Sequence, residues 1–107
     1  MIYHIAKTEW YELFKEKDYY ESETLTQEKF IHCSEYQQLE RTLNLYFKNE
    51  KDVLVISIDQ DKVIAEIKYE KSADNLVFPH IYGKLNKNAI IKTDIYNSDN
   101  QGRFNIK

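Results

Sequence analysis

The run Val53-Leu54-Val55-Ile56-Ser57-Ile58 constrains this chain more than any other feature, because it is nearly continuous in apolar residues and leaves no polar face to give to water. It reads as the central strand of a sheet, with both of its faces covered by other parts of the fold. A chain of 107 residues suits one domain, expected over 1–107. With 42% hydrophobic and 14% aromatic residues it has the material for a real core rather than a disordered composition.

Around that strand the pattern alternates between strand and helix signals. Met1 to Ala6 reads as a short strand with Ile2 and His4 on one face and Tyr3 and Ile5 on the other. Thr8 as N-cap, Glu9 and Glu12 in the first turn, and Trp10, Leu13 and Phe14 at helical spacing predict a first helix over Thr8 to Lys17. Asp18 to Lys29 is polar and mixed, with Tyr19 and Tyr20 as a short strand before a loop. Phe30 to Ser34 is another short strand, and Ser34 with Gln37 makes a capping box for a second helix, Glu35 to Lys48, carrying Tyr36, Leu39, Leu43, Tyr46 and Phe47 on one stripe.

Beyond the central run, Val63, Ala65, Ile67 and Tyr69 alternate with polar or exposed positions, predicting a half-exposed strand joined to the central one by a turn at Asp59 to Lys62. Ala89 to Tyr96 is a final strand, and 97–107 is expected to be a mobile C-terminal segment. Runs of strand and helix followed mostly by strands argue for an α+β domain with two helices and mainly antiparallel sheets.

Several classes are excluded by what the chain lacks. Its two glycines, Gly83 and Gly102, cannot write a phosphate-binding loop or a dinucleotide fingerprint. A single cysteine, Cys33, forbids an internal disulfide or a cysteine-rich zinc cage and suits a reducing compartment, so the cytoplasm is the expected location. A formal charge of −3 argues against general nucleic-acid binding. No secretion signal or membrane span is read from the chain.

The three histidines all sit in short apolar contexts: Tyr3-His4-Ile5, Ile31-His32-Cys33 and Pro79-His80-Ile81. On strands or strand ends they can line one pocket as acids, bases or hydrogen-bond donors. Taken singly, each is as readily a satisfied core or edge histidine. Alternation puts His32 on the face of Ser34 and away from Cys33, so Cys33 reads as a small buried hydrophobe rather than a nucleophile. Ser34 reads first as a cap and second as a phosphate contact at a helix start. Tyr3 and Tyr82, beside histidines, are the tyrosines best placed for a flat ligand ring. Glu66 and Glu70 share a strand face and read as exposed polar surface. A three-histidine zinc site has no support from spacings of 28 and 48 residues.

Ile2-Tyr3-His4-Ile5, the helix bearing Trp10, Phe30-Ile31-His32-Cys33-Ser34, the strand from Val53 to Asp59, and Phe78-Pro79-His80-Ile81-Tyr82-Gly83 together resemble the bacterial domain-of-unknown-function family 952, from Ile2 to about Phe104. The resemblance implies an ADP-ribosyltransferase-like fold in which two sheets form a cleft that holds NAD. On it, His4 matches the family's first-strand histidine, His32 and Ser34 its second motif, and His80 and Tyr82 its third. The chain departs from many members in having Lys29 rather than Gly before Phe-Ile-His, and Asp18 rather than Gly ahead of Tyr19. ADP-ribosyltransferases also place a glutamate on a late strand, where the matching motif here offers His80.

The expected function is therefore a nucleotide-, NAD- or ADP-ribose-binding, enzyme-like domain. His4, His32 and His80 are its candidate catalytic groups and Tyr3, Ser34 and Tyr82 its candidate ligand contacts. No metal is expected. If the domain is catalytic, cleavage or transfer at the glycosidic bond of NAD is the reaction implied. A non-catalytic ligand-binding or protein-interaction module is the alternative, and a histidine-zinc hydrolase the third.

Overall fold

The apolar run becomes β4 (Asp52–Ile58), flanked on its two edges by β1 (Ile2–Ala6) and β8 (Ile90–Asn97), both antiparallel to it. The computed structural model describes residues 1–106. Over these residues the order is β1, α1 (Thr8–Glu12), β2 (Tyr19–Tyr20), α2 (Leu25–Glu28), β3 (Ile31–His32), a 3-10 turn (Tyr36–Gln38) leading into α3 (Leu39–Tyr46), and β4. A second 3-10 turn (Gln60–Lys62), β5 (Glu66–Lys71), β6 (Val77–Tyr82), β7 (Leu85–Asn86), a third 3-10 turn (Lys87–Ala89) and β8 follow. A second antiparallel sheet has the order β3-β6-β5, and β2 pairs with β7. The protein is thus a small α+β fold with mostly antiparallel sheets and few helices. None of the described helices is long and apolar enough to cross a membrane.

The strand at the centre is covered on both faces, as its composition requires. Leu54, Ile56 and Ile58 point with Ile2 and Ala6 into a cluster that Phe14, Tyr20, Ile31, Ile81 and Leu85 complete, so this layer lies between the two sheets. Val53 and Val55 point with Ile5 into a second cluster closed by Leu39 and Leu43 of α3 and by Phe104. Phe104 is pinned through its backbone, because the Asn44 side chain donates to its carbonyl at 2.9 Å and accepts from its N–H at 2.8 Å. Lys107, the last residue of the expected mobile segment, lies outside the described residues.

Several local expectations are corrected. Asp59 to Lys62 does not join neighbouring strands: it forms a 3-10 turn whose start Asp59 caps by accepting from the Asp61 N–H at 3.1 Å, and it carries the chain from one sheet into the other. Both edges of β4 are already occupied, so β5 pairs with β6 instead. The first helix is a short segment followed by turns, with Lys7 rather than Thr8 at its cap. The loop read before Phe30 contains the one-turn helix α2. The capping box falls one residue later than read, on Glu35 and Gln38, and α3 ends at Tyr46. Of the helical stripe, Leu39 and Leu43 are fully buried, whereas Tyr36 and Tyr46 are 45% and 74% exposed.

Candidate functional site

The site is built by a single register. His32 of β3 pairs directly with His80 of β6, and the next pair, Ile31 with Ile81, is completely buried. Because strand side chains alternate, anchoring the isoleucines in the core sends both histidines to the opposite face. There the two imidazole rings meet edge to face with centroids 5.2 Å apart. Phe30 stacks on His80 at 4.1 Å and 17° and touches the His32 ring at 4.7 Å, which fixes both orientations.

Each of these histidines is held by a carboxylate. His32 Nε2 lies 2.9 Å from Glu28, the last residue of α2, with Lys29 in the left-handed conformation turning the chain between them. The Thr24 hydroxyl, and then His32, hold the Glu28 carboxyl below its ordinary range. His80 Nδ1 lies 2.8 Å from Glu70, and the Tyr82 hydroxyl donates to the same carboxylate oxygen at 2.7 Å. Those two contacts, Tyr82 first, lower the Glu70 carboxyl, and Glu70 in turn pushes the Tyr82 hydroxyl up. Glu70, read as surface, is therefore part of the site. The missed signal lay in the β5–β6 register: Lys68 faces His80 and Glu70 faces Phe78, so the Glu70 carboxylate reaches His80 diagonally across the pair.

His4 has a different character. Its Nδ1 lies 2.5 Å from the His32 carbonyl, which can only accept, so Nδ1 carries the proton and Nε2 accepts from the Tyr20 hydroxyl at 3.0 Å. Both nitrogens are thereby committed inside the protein. Burial drives its pKa down to about 4, against the ordinary 6.5, so His4 is neutral at physiological pH.

A cleft of about 680 Å³, within the range of small-molecule sites, opens beside β1, β3 and the start of β6. Its wall includes His4, His32 and His80 together with the aromatic groups of Tyr3, Trp10, Phe30 and Phe78. Ser34 is also on the wall. Its backbone is spent in a two-bond bridge to Tyr3, at 2.7 and 2.8 Å, that stitches β1 to the end of β3, and its hydroxyl meets that of Thr42 at 3.4 Å. Tyr82 is not on the cleft wall: its ring lies between the Lys68 ammonium at 4.7 Å and Phe30 at 5.3 Å, and its hydroxyl serves Glu70. Ser22, not selected from the sequence, lines the cleft with a buried hydroxyl that has no hydrogen-bond partner among the described residues. Such an orphan is what a ligand's polar group would satisfy. Cys33 is buried and burial pushes its thiol up, which makes it a poor nucleophile. Among the described residues, no group of three or more His, Cys, Asp or Glu side chains can hold a metal ion.

Fold and site thus define a small α+β protein with mostly antiparallel sheets and a histidine-lined cleft. By its sequence the chain belongs to the DUF952 family, described as proteins of unknown function, whose model matches residues 4–93. Protein CC0527 from Caulobacter crescentus has a similar fold: its X-ray structure aligns with a TM-score of 0.87 at 22% identity, over 97% of this chain and 92% of that one. Its solution NMR structure aligns with a TM-score of 0.81 at 22% identity, over 95% and 89%. No curated protein matches the chain.

Proposed function

We propose that this protein binds a nucleotide of the NAD or ADP-ribose class in its histidine-lined cleft, as a protein similar to ADP-ribosyltransferases. The observation that carries the reading is the pairing of His32 and His80 on one wall of an aromatic-lined cleft, each imidazole oriented by its own carboxylate. Aromatic faces suit a heterocyclic base, and a side chain that is 55% exposed, as His32 is, can reach a ligand. The orphaned Ser22 hydroxyl fits a ligand with several polar groups. When NAD is bound, it supplies a glycosidic bond activated by its cationic ring. The chain's own contribution is to orient the ligand and to hold protons on defined imidazole nitrogens. The same proposal puts the protein in the cytoplasm, where its lone buried thiol stays reduced.

Calorimetric titration with NAD and with ADP-ribose tests the reading. Saturable binding that is lost in His32→Ala, with an unchanged circular dichroism spectrum, is expected; the absence of binding by the wild-type protein at millimolar ligand would overturn it. A second reading, a binding module without turnover, is favoured by the fully committed nitrogens of His4, which leave two histidines rather than three for chemistry. Chromatography of bound NAD over time separates the two, because only an enzyme releases nicotinamide.

A further inference from the structure

We propose that Glu70 is the positioning residue that decides what His80 can bind: it fixes the proton on Nδ1 and leaves Nε2 as a bare acceptor for a hydroxyl or water, not for a phosphate. The inference rests on the nucleotide reading and names the part of such a ligand that faces His80, a sugar hydroxyl.

Four observations converge on it. The Glu70 oxygen that meets His80 Nδ1 at 2.8 Å also accepts the Tyr82 hydroxyl at 2.7 Å, so it is a doubly engaged carboxylate rather than a passing surface contact. A carboxylate can only accept, so the proton shared with it belongs to Nδ1 in the neutral imidazole. Rotation of the ring is blocked by Phe30 stacked at 4.1 Å and by the His32 ring edge-on at 5.2 Å. Finally, Nε2 of His80 has no partner among the described residues, although the side chain is only 11% exposed and lines the cleft. Among the described residues Ser22 Oγ is the buried polar atom without a partner, so Nε2 at the cleft wall is open to a donor from water or from a ligand. The diesterified phosphates of such a ligand are fully ionised and offer no donor, and the carboxylates of Glu28 and Glu70 beside the two rings disfavour a further anion. A ribose hydroxyl has the missing proton. The arrangement repeats what a buried carboxylate does for a catalytic imidazole, holding tautomer and orientation without touching the ligand itself.

Long-range 1H–15N NMR of the labelled protein reads the tautomer directly. The wild type is expected to show His80 protonated at Nδ1, with Nε2 shifting as ADP-ribose is added and remaining unmoved by dimethyl phosphate, a fully ionised anion without a hydroxyl. Glu70→Ala should release the tautomer and weaken ADP-ribose about tenfold, the scale of one hydrogen bond lost in a protected site. Glu70→Gln, whose amide oxygen can still accept, should restore the tautomer and most of the affinity, a rescue that simple disruption of the sheet would not give. Protonation at Nε2 in the wild type, an unaltered tautomer and affinity in Glu70→Ala, or an Nε2 shift caused by dimethyl phosphate alone would each overturn the assignment. If neither NAD nor ADP-ribose binds the wild type, the nucleotide reading falls with the ligand half of the inference, and the tautomer in Glu70→Ala still decides whether Glu70 orients His80.

Discussion

At His4 burial and hydrogen bonding decide protonation together. Its Nδ1–H goes to a carbonyl and its Nε2 takes the Tyr20 proton, so a charged His4 would lose the Tyr20 bond and sit in a dry interior. The folded-state pKa of about 4 lies below the unfolded value of 6.5, so the unfolded chain binds a proton that the folded chain refuses. Stability is therefore unaffected by this group above pH 6.5 and falls as the pH drops from there towards 4, by about 3 kcal/mol if the whole gap is expressed. Urea unfolding measured across that window should show the loss, and His4→Gln should flatten it; equal pH slopes in the two proteins would mean that other groups control acid stability. That the three histidines stand in short apolar strand contexts was legible in the sequence. That one of them is internally satisfied while two face a cleft was not, because a hydrogen bond to a backbone carbonyl 28 residues away leaves no mark in the sequence.

Among the elements, the turn between α2 and β3 repays attention because it places Glu28 under His32. Lys29 sits there at φ 75°, a left-handed conformation that costs a residue with a Cβ more than it costs glycine. Glycine at this position would adopt the same backbone without that strain. Lys29→Gly should stabilise the protein by about 0.5–1 kcal/mol, read as a rise in the urea midpoint; a fall would show that the lysine side chain compensates for the strain. The β5–β6 pairing teaches a complementary lesson. Alternation from Val63 predicted a strand that begins too early, because Val63 and Ala65 are half-buried without belonging to β5. Periodicity reports burial, whereas a strand also needs a partner, and the partner of β5 is set by the turn around Asn75 that precedes β6.

For the whole molecule, the question is how one sheet gets two covers. One face of the β1-β4-β8 sheet is covered by the second sheet and by Phe14 and Tyr20, the other by α3 and the C-terminal segment through Phe104. Phe104 is almost completely buried, and truncating such a ring in a core costs about 3–5 kcal/mol. Against a total stability of about 5–15 kcal/mol for a domain, Phe104→Ala should lower the denaturation midpoint severely. A loss under about 1 kcal/mol would show that the segment contributes little to the second cluster.

The sequence by itself determined the α+β class, the two-sided burial of the central strand, the strand positions of the histidines and the inert character of Cys33. These follow from composition and from periods of two and 3.6 residues, which are local properties of the chain. Only the tertiary structure decided that β5 joins β6 rather than β4, that Glu70 reaches His80, that His4 spends both nitrogens inside, and that Ser22 lines the cleft with an unpaired hydroxyl. Those outcomes depend on register and on contacts between residues far apart in the chain, and a change of register by one residue would send Glu70, His80 or His4 to the opposite face of its sheet.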